Sequence, residues 1–272
     1  DIHDNFIVNN SINGVVIRTD AGSGQSGLQS LDVPARFNDL DITHVIVDNL
    51  TIAGTPGGPL DGVARTNGRL QIDPGVVVKL DRSRIEALRG DSQFIAEGTP
   101  ERQVILTALS DDRYGAGGSF DTGGDGALSL RDPGDWGGLI FNASSSASID
   151  NAYIAHGGGT IPFENGFTQF NVIEIHQADV RIANSRIERN AATAVSGTRE
   201  GRGPNDDTTI FVRGAQPIIV NNDFRDNEGS VISINANAMR SERVGDYGTT
   251  TGEVTAFTAP EGNYGPLIRR NN

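Results

Sequence analysis

Residues 182–195 read IANSRIERNAATAV, and residues 219–232 read IVNNDFRDNEGSVI. Both stretches follow one rule: an apolar residue, Asn two positions later, an apolar residue after three more, Asn after three more, and an apolar residue after five more. Residues 2–15 obey the same rule with Asp4 at the first polar position, and partial copies begin at Val47 and Ile149. The chain therefore contains an internal repeat, and such repeats indicate a solenoid or another array of stacked units.

The spacing of the repeat favours short strands rather than helices. A helix would place apolar residues three and four apart along one stripe, whereas short strands separated by Asn or Gly reproduce the observed pattern. Asn tolerates the left-handed backbone region and hydrogen-bonds to nearby backbone groups, so it suits a sharp bend between strands. In stacked coils we expect Asn ladders at the bends and stacked Ile, Val and Phe inside. The best helical candidate is a single turn over residues 83–88.

Further strands are predicted between the copies of the repeat. Together with the repeat they predict about nine or ten coils or partial coils of ~20–30 residues each. Four polar stretches interrupt this pattern and are predicted to be surface loops: residues 20–39, 111–135, 197–207 and 240–262. The predicted strands cover residues 70–80, 93–98, 103–109, 136–141 and 209–212.

Three stretches add a family resemblance: IDPGVVVKL at residues 72–80, FIAEGTPERQVILTALSDD at 94–112 and PGDWGGLIF at 133–141. Followed by the Asn repeats, they resemble the right-handed parallel β-helices of large bacterial secreted and cell-surface proteins, the pectin-lyase-like superfamily. The resemblance implies an all-β, right-handed parallel β-helix (solenoid) with inserted surface loops, forming a single domain over residues 1–272. It leaves function open, because this architecture carries lyases, hydrolases, epimerases, adhesins and spacers.

Both ends of the chain fall inside the repeat. Ile2 is already its first apolar position, and residues 266–272 resemble residues 217–222. Because an open solenoid end exposes apolar interior and unpaired strand edges, we expect a segment of a longer protein, with neighbouring coils of the parent chain as partners.

Composition narrows the class of protein. The chain of 272 residues carries a formal net charge of −13, and its 22 basic residues, with Lys79 as the one lysine, are scattered. Nucleic acid is therefore not expected as a partner, because phosphate binding needs clustered positive charge. Zero Cys removes disulfides and cysteine chemistry, which fits a cytosolic or a bacterial surface protein. The acidity favours an exported protein, for which the resemblance implies the bacterial cell surface, and no apolar run is long enough for a membrane span.

An Asp-rich stretch predicts a Ca²⁺ site. Hard cations take several oxygens from a tight turn that only Gly permits at its sixth position, and Gly126 stands there when Asp121 is counted as the first ligand. The pattern departs from a calcium loop at its third position, which is Gly123, and at its twelfth, which is Asp rather than Glu. The alternative is a solvated acidic loop. The candidate ligands are Asp111, Asp112, Asp121, Asp125, Ala127 through its carbonyl, Ser129 and Asp132.

Trp136 and three arginines are candidates for glycan binding. Trp136 would be a stacking platform for a sugar, or would pack over the coil edge between glycines. Arg181, Arg186 and Arg213 lie on later coils, where a row on one outer face would hold an acidic glycan; alternatively they are solvated residues interleaved with carboxylates.

The preferred function is a non-catalytic structural or adhesive segment of a large exported bacterial surface protein, stabilised by calcium and binding an extracellular glycan or cell-surface component. The alternative is an extracellular polysaccharide-active enzyme, either a lyase, an epimerase or a glycoside hydrolase. Asp111-Asp112 and His156-Gly157-Gly158 match two stations of polygalacturonases, but no Asn-Thr-Asp station is present. A tail-spike-like receptor binder of a phage is a third possibility.

Overall fold

The computed structural model describes residues 4–18, 30–54, 67–126, 131–163, 166–192, 205–235 and 265–272. Within these ranges every regular element is a strand, so the protein is all-β. No helix in the described part is long and apolar enough to cross a membrane. The predicted loop 240–262 lies outside the described residues, as do residues 197–204 of the predicted loop 197–207 and residues 20–29 of the predicted loop 20–39.

The strands form three parallel sheets and one small antiparallel hairpin. Sheet A contains β1 (Val15–Ile17), β3 (His44–Ile46), β6 (Val77–Leu80), β9 (Val104–Ala108), β12 (Ala152–Ala155), β17 (Arg186–Glu188) and β20 (Asp223–Arg225). Sheet B contains β4 (Leu50–Ile52), β7 (Ile85–Ala87), β10 (Leu139–Phe141), β15 (Ile173–His176), β18 (Thr208–Arg213) and β21 (Ser230–Ile234). Sheet C contains β2 (Pro34–Phe37), β5 (Arg69–Ile72), β8 (Gln93–Glu97), β11 (Ser146–Asp150), β16 (Asp179–Ala183), β19 (Ile218–Val220) and β22 (Leu267–Arg269). The hairpin pairs β13 (Thr160–Phe163) with β14 (Gly166–Gln169).

From β2 onward the chain visits sheets C, A and B in turn, and each strand pairs in parallel with the strand of the next coil. This is a solenoid-like arrangement. Within the described ranges sheets A and C have seven strands each, fewer than the nine or ten coils or partial coils expected. The expected coil was too short, because aligned bend residues such as Asn190 and Asn227 lie 37 positions apart.

Alternate side chains of each strand point into a common core. In sheet B one inward row runs Ile52, Ala87, Phe141, Ile175 and Val212, all in register and fully buried. β-Branched and aromatic side chains suit such pleated, buried surfaces. The best helical candidate, residues 83–88, contains β7 instead, because Ile85 and Ala87 continue the inward rows of neighbouring strands.

The bends from sheet C to sheet A and from sheet A to sheet B share one construction, a residue in the left-handed region followed by a ladder position that is polar in most coils. At the bend from sheet C to sheet A, Asn184 and Asn221 have φ of 50° and 56°. The buried ladder there is formed one position later: Asn222 Oδ1 accepts from Ser185 N at 3.0 Å, and Asn271 Oδ1 accepts from Asn222 N at 2.9 Å. The expected ladder is therefore present, but its fully buried members follow the Asn that makes the bend.

The bend from sheet A to sheet B is built in the same way. Asn190 Oδ1 accepts from Gly157 N at 2.8 Å, and Asn190 Nδ2 donates to Asn227 Oδ1 at 2.9 Å. The residue before each ladder position, such as His156 (φ 63°) or Arg189 (φ 54°), takes the left-handed conformation. This ladder lies at the second Asn position of the repeat, as expected.

Two insertions depart from the coil. The expected loop 111–135 lies between β9 and β10 and covers the outer face of sheet A. The expectation of a loop over residues 20–39 is wrong for residues 34–37, because these form β2. The β13–β14 hairpin was not expected; it packs Ile161 and Phe170 on Ile140 of sheet B.

Candidate functional site

The Asp-rich loop brings three of the predicted calcium ligands together. One carboxylate oxygen from each of Asp112, Asp121 and Asp125 lies within 4.8 Å of the other two. Burial and the neighbouring Asp121 and Asp125 carboxylates raise the pKa of Asp112, against the opposing effect of Lys79. Such a group of oxygens can hold a hard cation, or can be neutralised by a nearby ammonium group.

The loop is folded around Asp121. Its Oδ1 accepts from Asp125 N at 3.0 Å and its Oδ2 from Gly126 N at 2.8 Å. The turn needs glycine, since Gly126 has φ of 70°. Asn13 Nδ2 donates to the Asp121 carbonyl at 2.8 Å, which fastens the loop to the first coil.

Lys79 lies beneath this loop, fully buried on the outward side of β6. Its Nζ donates to the Phe120 carbonyl at 3.0 Å. Burial lowers the pKa of Lys79 to about 8, while the carboxylates of Asp112, Asp111, Asp121 and Asp125 counteract this effect. Lys79 was not among the predicted site residues, although a lone lysine in an apolar strand was a signal. It places one positive charge among the proposed cation ligands.

The remaining calcium predictions fare differently. Asp111 is not part of the carboxylate group: it is fully buried and ion-paired with Arg113, with Nε to Oδ1 at 2.8 Å. Its prediction as a ligand is wrong because Arg113 and Thr107 already occupy both of its oxygens. Among the described residues Asp132 is also outside the group, and its backbone N–H donates to Asp135 Oδ2 at 3.3 Å. Ala127 and Ser129 lie outside the described residues.

A second polar cluster links the loop to the outer face of sheet A. Arg113 Nη2 donates to Asp111 Oδ2 at 2.8 Å and to Tyr153 Oη at 2.9 Å, and lies 3.0 Å from His156 Nε2. Tyr153 Oη donates to Glu188 Oε1 at 2.7 Å. His156 Nε2 lies 3.8 Å from Asp111 Oδ2. Asp111 and His156, the residues of the enzyme alternative, therefore lie close together, and Arg113 contacts both of them.

The charge states in this cluster limit its chemistry. Burial would raise the pKa of Asp111, but hydrogen bonds from Arg113 and Thr107 outweigh it and hold that pKa far below its usual range. For Glu188, hydrogen bonds from Tyr153 and Arg186 likewise outweigh burial and lower the pKa. Burial lowers the pKa of His156. Glycoside hydrolysis needs a carboxylic acid that keeps its proton, and neither carboxylate here meets that need.

Trp136 is a core residue in this structure. Its side chain is fully buried, and Nε1 donates to the Ala155 carbonyl at 2.8 Å. A Cβ on Gly157 would lie 2.9 Å from the indole ring, so glycine at that position makes room for it. Of the two interpretations, packing at the coil edge agrees with this burial, because no face of the ring is exposed to a sugar.

The three arginines do not form a row. Arg181 is in sheet C, buried and paired with Asp150, whereas Arg186 is in sheet A and its Nε donates to Glu188 at 2.6 Å. Arg213 ends a strand of sheet B, where its guanidinium lies 5.0 Å from the ring of Phe211. The predicted acidic-glycan face is therefore wrong: the three side chains belong to three different faces.

A groove of about 700 Å³ lies along the bend from sheet B to sheet C. Residues of successive coils line it, and strand register places Gln93, Ser146 and Asp179 in one row. This groove was not predicted from the sequence. The signal was the polar residue three positions before the first apolar position of the repeat, as with Ser146 before Ile149 and Asp179 before Ile182.

Comparisons with models of protein families, with curated proteins and with solved structures find no match to this chain.

Proposed function

We propose that this chain is a right-handed parallel β-helix of the pectin-lyase-like type and a non-catalytic segment of a large exported bacterial surface protein. In this proposal residues 1–272 form one domain, the neighbouring coils of the parent protein continue the stack, and the segment is a rigid spacer that presents an adhesive face. The observation that carries the proposal is the alignment of the coils: polar bend residues stack on polar bend residues, and inward apolar residues stack on inward apolar residues.

Stacking of this kind makes a stiff element for a physical reason. Each coil is joined to the next by strand hydrogen bonds on three sides, and buried Asn ladders tie the bends together. In a solenoid each unit contacts only its neighbours, so bending requires breaking an interface between coils. The absence of cysteine and the net charge of −13 are compatible with export to the cell surface.

The polysaccharide-active enzyme is the second candidate, and the contact between Asp111 and His156 is the observation that favours it. The lowered pKa values of Asp111 and Glu188 count against it, because both groups are ionised at neutral pH and cannot protonate a leaving group. The spacer is therefore the better-supported function.

One experiment separates these candidates. The chain is incubated with neutral and acidic polysaccharides, and new reducing ends and unsaturated products are measured. The spacer proposal expects neither product. Turnover that Glu188→Gln abolishes would overturn the spacer proposal and establish the enzyme.

A second experiment addresses stiffness directly. Pulled from end to end in a single-molecule instrument, the chain is expected to unfold in discrete steps that each release whole coils. A smooth extension at low force, without steps, would contradict the role of a spacer.

Calcium belongs to the proposal as an additional hypothesis about Asp112, Asp121 and Asp125. Its support is the closeness of their oxygens; Lys79 is the competing counter-ion. The test is thermal unfolding with calcium and with chelator, on wild type and on Asp125→Asn, with Asp91→Asn as a control outside the loop. If calcium raises the melting temperature of wild type and Asp91→Asn but not of Asp125→Asn, the result supports a calcium site. If calcium changes the melting temperature of none of the three proteins, Lys79 is the group that neutralises these carboxylates.

A further inference from the structure

We propose that the groove along the bend from sheet B to sheet C binds an uncharged polysaccharide that lies parallel to the stack of coils. This inference deepens the adhesive part of the proposed function by naming the ligand class and the site. It does not depend on Trp136 or on the three arginines.

The groove has the length and direction of an extended sugar chain. Its central row, Gln93–Ser146–Asp179, runs across three adjacent strands of sheet C, and Gln216 of the next coil also lines it. Successive strands are ~4.8 Å apart, so four coils span about 14 Å, the length of a short oligosaccharide. The groove is therefore a series of similar polar positions, one per coil.

A second row faces the first across a narrow floor. Ser144 and Gln177 are both in the left-handed region, with φ of 66° and 55°, and Ser144 N donates to the Gln177 carbonyl at 3.1 Å. The floor between the rows consists of the small residues Ser145, Ala178 and Ala215, all buried. Small floor residues leave the groove open, while the flanking amides and hydroxyls provide donors and acceptors.

The chemistry of the lining selects sugar hydroxyls. Amide, hydroxyl and carboxylate groups pair with neutral hydroxyls, which both donate and accept hydrogen bonds. The charged side chains of the lining are Asp91 and Asp179, and no Lys or Arg is among the described lining residues. An acidic glycan would therefore meet like charge in the groove and on a chain of net charge −13. An uncharged polymer meets no such repulsion.

A peptide fits this groove less well. Peptides that add to a sheet lie parallel to its strands at a free edge. This groove crosses the strands, and β8, β11 and β16 are each paired on both sides. Among the described residues its lining has no aromatic side chain and no apolar side chain larger than Ala178 and Ala215, so these residues offer no pocket for an apolar anchor.

The test is an NMR titration of the chain with uncharged gluco-, manno-, galacto- and xylo-oligosaccharides. Oligogalacturonate and an extended polar peptide are titrated as the competing ligand classes. We expect amide shifts at Ser146, Gln177 and Asp179 with at least one neutral sugar, saturating at a millimolar concentration, since polar grooves without aromatic platforms bind weakly.

Two variants make the result specific. Ser146→Arg fills the centre of the groove and is expected to weaken binding by ~10-fold or more, about 1.4 kcal/mol. Ser11→Arg is the matched control, the same change at an exposed position on the first coil, and it should leave affinity unchanged. Circular dichroism and amide spectra of both variants establish that each is folded.

The proposal is overturned if no neutral sugar shifts these amides, if Ser146→Arg binds as well as wild type, or if only oligogalacturonate or the peptide binds. None of these outcomes affects the cleavage and pulling experiments. Failure of the groove would leave a spacer without this adhesive face, whereas failure of the spacer would appear in those other experiments.

Discussion

Substitution of Asn190 tests how much a ladder residue contributes to stability. Its side chain is fully buried and makes three hydrogen bonds: Oδ1 accepts from Gly157 N at 2.8 Å, and Nδ2 donates to Asn227 Oδ1 at 2.9 Å and to the Ile154 carbonyl at 3.3 Å. Asn190→Ala removes all three and leaves the Gly157 N–H and the Ile154 carbonyl without these partners. Because a buried polar group left unsatisfied costs ~1–3 kcal/mol, we expect a loss of about 3–4 kcal/mol in the free energy of unfolding.

Two measurements check this magnitude. Urea unfolding gives the global loss, and hydrogen exchange at the Gly157 amide gives the local one. A loss of ~3 kcal/mol corresponds to exchange about 100-fold faster at that amide.

Asn221→Gly is the control. Asn221 has φ of 56° and makes one exposed bond to Asn184 at 3.3 Å, so glycine retains the bend and the expected loss is below ~1 kcal/mol. If Asn190→Ala costs no more than Asn221→Gly, or if the Gly157 amide keeps its protection, the ladder does not stabilise the bend.

Three further predictions concern the other buried polar groups. The pKa of Lys79 is about 8 in the folded chain, against an ordinary value of 10.5. Between these two pH values the unfolded chain binds more protons than the folded chain. The contribution of Lys79 to the free energy of unfolding therefore rises with pH in this range, by ~3 kcal/mol. The difference in stability between wild type and Lys79→Met should follow that rise in urea titrations from pH 7 to 11, and a flat difference would contradict the lowered pKa. Trp136 is the one tryptophan, so its fluorescence should resist acrylamide quenching in the folded chain, and quenching like that of free tryptophan would show an exposed ring. Arg181→Ala should lose ~3–5 kcal/mol because Asp150 remains buried without its partner, and the double variant with Asp150→Ala should recover part of the loss; additive losses would refute the coupling of this pair.

The elements that sequence could predict are those that depend on neighbours along the chain. Asn184 marks one bend because its preference for the left-handed region is local, and Asn190 marks the next bend as the ladder residue that follows the left-handed Arg189. Ile187, between them, is the inward residue of β17. The third bend of each coil uses Ser144, Gln177 and Gly214, which share the left-handed conformation but no residue type, so no pattern revealed it.

The polar clusters depended on contacts that local sequence does not contain. Asp111 and Asp112 are adjacent, yet Asp111 turns inward to Arg113 and Thr107 whereas Asp112 faces Asp121 and Asp125. Lys79 was predicted only as part of a strand. Its burial results from the loop that follows β9 and covers the outer face of sheet A, a contact across 41 positions.

Surface function in a solenoid follows alignment between coils more closely than proximity along the chain. Arg181 and Arg186 are five positions apart, but a bend separates them and puts them on different sheets. Ser146 and Asp179 are distant in sequence, yet parallel register makes them neighbours, because each lies three positions before an inward Ile of its own coil. Once the repeat is aligned, each column outside the apolar positions describes one row on the surface. A binding face is therefore visible in the aligned repeat as a column of chemically similar residues, and the polar residues of the groove form such a column. An isolated residue such as Trp136 belongs to no such column.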